Sequence, residues 1–82
     1  MKYKLNGQTK IVNGIQLNRI ECVTAFGDIS VGDIGGWIEK EANLSQEGDA
    51  WVYGNAMVSG KAMVSGEAMV SGNAITHSIL FN

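Results

Sequence analysis

Few residues of this 82-residue chain could do chemistry, because it has a single histidine, His77, and a single cysteine, Cys22. A histidine can act as a general base, but it needs an orienting partner and a substrate cleft. No insertion interrupts the repeated segment before His77 to build such a cleft. Cys22 lies in a predicted strand with no base beside it, which indicates a small core residue and not a nucleophile. We therefore predict no catalytic residue and no enzymatic activity.

The sequence gives equally little indication of a metal or cofactor site. One cysteine and one histidine cannot supply the four ligands of a structural zinc ion. The glycine-rich stretch 32–36 could cradle phosphate through backbone amides, but it lacks the Lys-Ser/Thr of a P-loop and is acidic. The charged residues Glu39, Lys40, Glu41 and Glu47 are expected to form a solvated rim. We predict no metal and no cofactor.

Composition and charge exclude several kinds of partner. The net charge is −2 and no basic run exists, so binding to nucleic-acid phosphates is not expected. No stretch approaches the roughly 20 apolar residues of a membrane span, and the N-terminus lacks the apolar region of a signal peptide. An unpaired cysteine without an export signal favours the cytoplasm. A chain this short has a marginal core, so without disulfides or metal we expect it to oligomerise.

The dominant pattern is a six-residue repeat, Gly-x-Ala-φ-Val-x, in which φ is a large apolar residue. Five copies follow one another without insertion and begin at Gly48, Gly54, Gly60, Gly66 and Gly72. A helix would not tolerate a glycine in every unit, whereas a short strand followed by a glycine corner fits the period. Strand alternation places Ala and Val inward and φ outward. The sequence therefore predicts an all-β solenoid over residues 48–77.

Read from its valine, the unit resembles the hexapeptide repeat of left-handed β-helix proteins. In that family a small residue follows an aliphatic one after four positions, as Ala62 follows Val58. The resemblance implies a left-handed coil with three sides and a homotrimer. Many members are trimeric acyltransferases with a histidine between subunits, but this chain is far shorter and offers only His77 in its last unit. A degenerate acyltransferase-like protein therefore remains one alternative.

The lead-in Gly32-Asp-Ile-Gly-Gly-Trp-Ile-Glu is similar to that of a group of uncharacterised bacterial and phage or prophage proteins, in which it precedes hexapeptide-like repeats. The similarity extends over roughly residues 3–73 and carries no known chemistry. Ile38 and Leu44 share the six-residue phase of Ala50, so the helical path is expected to begin near Gly36. We assign residues 32–47 to this lead-in coil.

A β-hairpin is predicted before the lead-in. Asn13-Gly14 separates two strand-like segments and suits a two-residue type I′ turn, in which both central residues have positive φ. Ile15 and Leu17 then lie on one side of the second strand, and Ile20 lies on the other. We predict a single domain, 1–82, in which residues 1–31 form a hairpin that caps the open first coil of the solenoid.

The outward φ positions carry large apolar residues, which is unusual for positions that face water and indicates an interface. Methionine suits such surfaces because it adapts its shape. On a three-sided coil, residues 18 apart share a side, so Trp51 stacks on Met69 and Met57 on Ile75. The predicted oligomer or partner interface consists of these four residues and Met63. Burial of one side under the hairpin is the alternative for part of it.

The tail of the chain is also apolar. Ile79, Leu80 and Phe81 belong to a predicted cap strand over residues 78–82. The favoured arrangement folds this strand across the last coil, and the alternative pairs it with another chain by strand addition.

These observations together predict a non-enzymatic structural or protein-interaction module of phage or prophage type. It would present a rigid trimeric solenoid in the cytoplasm of a bacterial host, with a virion component as the alternative location. The partners would be other copies of the chain and an unidentified protein, for example a host defence factor that it inhibits. A small-ligand or nucleotide binder with sites in the grooves between subunits is a further alternative.

Overall fold

The computed structural model describes residues 1–76 and the short strand 80–81. The described part of the chain is all-β apart from one 3-10 turn, η1 (Glu41–Asn43). Its strands are β1 (Tyr3–Val12), β2 (Ile15–Cys22), β3 (Ile34–Ile38), β4 (Trp51–Val52), β5 (Met57–Val58), β6 (Met63–Val64), β7 (Met69–Val70), β8 (Ile75–Thr76) and β9 (Leu80–Phe81).

Strands β1 and β2 form the predicted antiparallel hairpin, with Val12 opposite Ile15. Asn13 has φ 51° and Gly14 has φ 81°, so both central residues lie in the left-handed region, as the type I′ prediction requires. The pairing shifts register between Leu5 and Thr9. This bulge bends β1 and divides the hairpin into a proximal half beside the coil and a distal half at the turn.

The segment from β3 onward winds into a small three-sided solenoid. Side 1 is the parallel stack of β3, β5 and β8; side 2 contains β6 and β9; side 3 is β4 on β7. Trp51 pairs with Met69, and Met57 pairs with Ile75, so the predicted stacking of residues 18 apart is confirmed. The all-β class and the hairpin-plus-solenoid order predicted from the sequence are confirmed as well, while the handedness stays a prediction.

The lead-in forms the first coil, but in a different phase from the one expected. Ile38 pairs with Val58, and Leu44 forms a bridge to Val64. Both lead-in residues therefore occupy the valine position of the repeat. The expectation that they share the phase of Ala50 is wrong.

The difference arises because the first coil is longer than the next one. Leu44 lies 20 residues before its partner Val64, whereas Trp51 lies 18 before Met69. Two extra residues are therefore accommodated between Leu44 and Trp51. A corner can absorb such an insertion, because it does not disturb the inward alternation within the strands on either side.

The core runs along the solenoid axis and consists of the inward positions of the repeat. Fully or nearly fully buried are Ile38, Leu44, Val52, Val58, Val64, Val70, Ala50, Ala56 and Ala62. The predicted inward set fails at its far end, where Ala74 is exposed and Ala68 half-buried. Ala74 belongs to the last repeat unit, and among the described residues neither the hairpin nor a further coil packs against it.

Strand β3 packs closely against both the hairpin and the next coil because two of its glycines lack side chains. A Cβ on Gly35 would lie 2.6 Å from Ile20 Cγ1, and a Cβ on Gly36 would lie 2.6 Å from Val52 Cγ1. Both distances are below any real van der Waals contact. Any larger residue at either position would push β2 or β4 away from β3.

Candidate functional site

The structure divides the predicted outward stripe into buried and exposed members. Trp51 is only 1% exposed, because Tyr3 and Phe26 pack edge-on against its indole with ring centroids 6.4 and 5.3 Å away. The prediction that Trp51 belongs to an exposed interface is therefore wrong. Side 3 of the first coil is closed by the N-terminal strand and by the loop after β2.

Met57 is half-buried on side 1, where the distal half of the hairpin lies across the outer surface. Leu17 of β2 is only 2% exposed. An apolar cleft of about 120 Å³ lies between the hairpin residues Val12, Ile15 and Leu17 and the solenoid residues Met57 and Ile75. Met57 therefore follows the alternative prediction, in which the hairpin covers part of one side of the solenoid.

Three members of the stripe remain exposed to different degrees. Met63 on side 2 is 37% exposed, Met69 on side 3 is 60% exposed and Ile75 on side 1 is 65% exposed. The Tyr53 hydroxyl lies 3.8 Å from the Met69 sulfur, which steadies that side chain without covering it. These three residues, each on a different side, are the apolar surface that the repeats leave available to a partner.

The described part of the predicted cap strand continues the coil. Leu80 pairs with Met63 and Phe81 with Val64, both in parallel, so β9 adds to side 2 of the same chain. This arrangement differs from a strand that crosses the end of the coil. Ile79 and His77 lie outside the described residues.

A second feature of side 1 was not predicted. Lys10 Nζ lies 4.4 Å and Arg19 Cζ 4.9 Å from the centre of the Trp37 ring. Arg19 Nε also donates to the Gly35 carbonyl at 2.8 Å. Trp37 is buried, and its Nε1–H has no described acceptor. Two cations therefore converge on one indole at the outer surface of the sheet.

The corner that leads into side 3 carries the opposite charge. Asp49 N donates to the Gly66 carbonyl at 3.0 Å, and the register of β4 on β7 places Asp49 one coil above Glu67. The Asp49 carboxylate lies against Gly27, with its Cγ and Oδ2 3.7 Å from the position a Cβ would take there, and it also interacts with Lys2. Exposed Met69 follows directly after this acidic corner.

The N-terminal end of the solenoid is closed by hydrogen bonds. Lys2 Nζ donates to the carbonyls of Glu47, Gly48 and Ala50 at 3.5, 3.3 and 2.7 Å. Burial lowers the pKa of Lys2, against the opposing effect of Asp49. A shallow groove of about 500 Å³ opens beside it, but its cation is already committed to the backbone.

The adjacent Tyr3 hydroxyl donates to the Leu44 carbonyl at 2.5 Å. Burial raises the pKa of Tyr3 strongly, and the charge of Glu41 adds to this effect. Both Lys2 and Tyr3 have structural partners for their polar atoms. Their shifted pKa values follow from their role in closing the coil.

Groups suited to catalysis or metal binding do not converge in the described residues. Within them, no three His, Cys, Asp or Glu side chains are placed to hold a metal ion, and Cys22 is buried. A clearer feature is the uneven distribution of charge along the chain, which is visible in the sequence. Four of the six basic residues lie within 2–19, whereas all eight acidic residues lie within 21–67.

Comparison with known proteins gives one informative similarity. No protein-family profile matches the chain. Over 51 residues, 62% of its length, the chain is 37% identical to the "Uncharacterized acetyltransferase YdcK" of Escherichia coli strain K12. The chain spans only 15% of the length of that protein. Within the described residues, no helix has the length and apolar character needed to cross a membrane.

Proposed function

We propose that this protein is a non-enzymatic interaction module whose solenoid assembles with copies of itself, as a homotrimer, and presents a rigid surface to another protein. The observation that carries the proposal is the exposure of Met63, Met69 and Ile75 on three different sides of one small coil. Large apolar side chains in such positions lose contact with water when a partner covers them. The trimeric state is inferred from the resemblance to hexapeptide-repeat proteins.

The packing of the coil supports this role. Val52, Val58 and Val64 are fully buried one after another around the axis, and backbone hydrogen bonds join successive coils throughout the repeats. A surface held by such a scaffold pays little ordering entropy when it binds. The lead-in resemblance supports a phage or prophage context for the protein, with a host protein such as a defence factor as the further partner.

Met69→Glu is the variant that tests assembly. We expect wild-type protein to show a mass near three chains by light scattering over a concentration series. The variant should shift towards one chain, because a carboxylate replaces an apolar contact. Met69→Leu, which keeps apolar volume, serves as the control and should stay assembled. An intact oligomer in Met69→Glu would show that Met69 lies outside the interface, and a monomeric wild type would refute self-assembly.

Acyl transfer is the second candidate function, favoured by the 37% identity to a protein named as an acetyltransferase. Purified protein would be incubated with an acetyl donor and a panel of amines and alcohols. Turnover that disappears in His77→Ala would establish this function in place of the first. A nucleotide or acyl compound that copurifies with the protein would instead favour a ligand-binding role in the grooves between subunits.

A further inference from the structure

The two ends of the solenoid differ in how their backbone is paired. At the first coil, Lys2 Nζ donates to three carbonyls and the Tyr3 hydroxyl donates to the Leu44 carbonyl. At the other end, β7, β8 and β9 each pair with only one described strand, which belongs to the preceding coil. We call the unpaired edge of these three strands the open end of the solenoid.

The register shows which backbone groups point toward the open end. Met57 N donates to the Ala74 carbonyl, and Ser59 N donates to the Thr76 carbonyl. In a parallel ladder, the residue between two such carbonyls directs its own N–H and C=O to the opposite side. Ile75 therefore points both backbone groups away from β5. Among the described residues, no group pairs with them.

Side 3 repeats this arrangement, and the open end lacks the charges that would protect it. The carbonyls on either side of Met69 accept from the coil above at 3.2 and 2.7 Å, so the backbone groups of Met69 also face the open end. After Glu67, the sequence through residue 76 contains no Asp, Glu, Lys or Arg. Proteins usually protect exposed strand edges with charges, prolines or a covering segment. This edge has the properties of one that pairs with another strand.

We propose that the open ends of two copies of this chain stack on each other, related by a twofold axis through side 1. Strand β8 of one copy then runs antiparallel to β8 of the other, with Ile75 opposite Ile75. An antiparallel pair of this type exchanges two N–H···O bonds, so each copy satisfies the groups that the other exposes. The same rotation places side 3 of each copy over side 2 of the other, so that β7 faces β9.

The occupant is the same end of a second copy because the opposite end is already closed. A head-to-tail stack would have to displace Lys2, Tyr3 and the hairpin from the first coil. Two identical edges without charged side chains in residues 68–76 form a self-complementary twofold contact that involves no repulsion between these residues. The contact also covers Ala74, which is exposed at an inward position and would lie opposite Thr76 of the second copy.

The mass of the full chain across a concentration series separates this contact from the lateral trimer proposed above. Because the end-to-end contact is small, light scattering should show the mass rising with concentration, from about three chains toward six. A rise from one chain toward two would support the end-to-end contact and refute the trimer. A mass that stays at three or at one would overturn the end-to-end contact and leave the open end to a strand of another protein.

Ile75→Pro tests the pairing directly. It removes the exposed N–H but keeps the bonds to β5, which use the carbonyls of Ala74 and Thr76, and proline is tolerated on an edge strand when its missing N–H faces outward. End-to-end association should weaken by at least about tenfold, because each contact loses two hydrogen bonds and keeps two unpaired carbonyls. Ile75→Ala is the matched control, since it removes the same side chain and retains the N–H. Equal association of the two variants would contradict the proposed register.

Ala74→Lys is the second variant, in case Ile75→Pro does not fold. It places a charge at the exposed inward position where the two copies meet, so the rise in mass with concentration should disappear. Asn55→Lys adds the same charge at an exposed position of the preceding coil and should leave the rise unchanged. Circular dichroism and thermal unfolding would verify that each variant folds. A rise that persists in Ala74→Lys would overturn the end-to-end contact.

Discussion

Two side chains at the start of the chain, Lys2 and Tyr3, supply the hydrogen bonds that carbonyls of the first coil would otherwise lack. Tyr3 is fully buried and donates to the Leu44 carbonyl. Its pKa is raised because the phenolate would be buried. A tyrosine in the unfolded chain ionises near pH 10, so Tyr3 links stability to alkaline pH.

We expect the free energy of unfolding to fall as pH rises above about 10. In that range the unfolded chain loses the Tyr3 proton and the folded chain keeps it, which favours unfolding. Tyr3→Phe should cost about 1–3 kcal/mol at neutral pH through the unsatisfied carbonyl and should flatten the alkaline decline. Urea titrations across pH would measure both.

Tyr53→Phe is the control for that measurement, because the Tyr53 hydroxyl contacts only the Met69 sulfur among described groups. It should keep the alkaline decline of the wild type. The lowered pKa of Lys2 acts in the opposite direction: stability from this group rises with pH until the unfolded lysine deprotonates. Because Lys2 is present in all three proteins, it does not affect the comparison. An equal decline in Tyr3→Phe would contradict the assignment.

The hairpin is the element that changes the surface of the solenoid most. Its proximal half adds two antiparallel strands to side 1, and its distal half lies across the outside of the same side. Leu17 is the principal apolar anchor of the distal half, since it is buried on a surface that would otherwise face water. The hairpin therefore has buried residues on both of its faces, Leu17 on one and Ile20 on the other.

Leu17→Ala is expected to destabilise the fold by about 2–5 kcal/mol, as for other buried leucines. Gln16→Ala, at the exposed neighbouring position, should change stability by no more than about 0.5 kcal/mol. Both would be measured by chemical denaturation at one chain concentration. A similarly small effect of Leu17→Ala would show that the distal half does not pack on side 1.

At the scale of the whole molecule, the N-terminal segment packs on the coils through the side chain of Trp51. Trp51 and Met69 occupy the same repeat position on side 3, one coil apart. The first is sealed by Tyr3 and Phe26, and the second is exposed. Identical repeat positions thus differ in role because only one of them meets the N-terminal segment.

Trp51→Ala should therefore cost about 3–5 kcal/mol, in the range of buried aromatic truncations. All variants would be measured at one low chain concentration, where assembly adds least to apparent stability. Trp51→Phe, which keeps an aromatic ring for Tyr3 and Phe26 to contact, should lose clearly less. A loss below about 1 kcal/mol for Trp51→Ala would show that the N-terminal segment is not docked there.

The sequence by itself determined the local features of this protein. The six-residue period sets the strand and corner of each unit, and Asn13-Gly14 sets the hairpin turn, because both depend on backbone preferences and alternation within a few residues. The inward valines and the stacking of Met57 on Ile75 followed from the same period. The coarse fold therefore follows from the sequence alone.

Only the tertiary structure decided which outward residues are exposed. Alternation tells whether a side chain points inward or outward, but burial of Trp51 depends on Tyr3 and Phe26, which are distant in sequence. The phase change after Leu44 could not be predicted for a similar reason. A corner can accommodate two extra residues, and no sequence pattern shows that it does. Long-range packing of the N-terminal segment thus defines the candidate surface, and no local pattern specifies it.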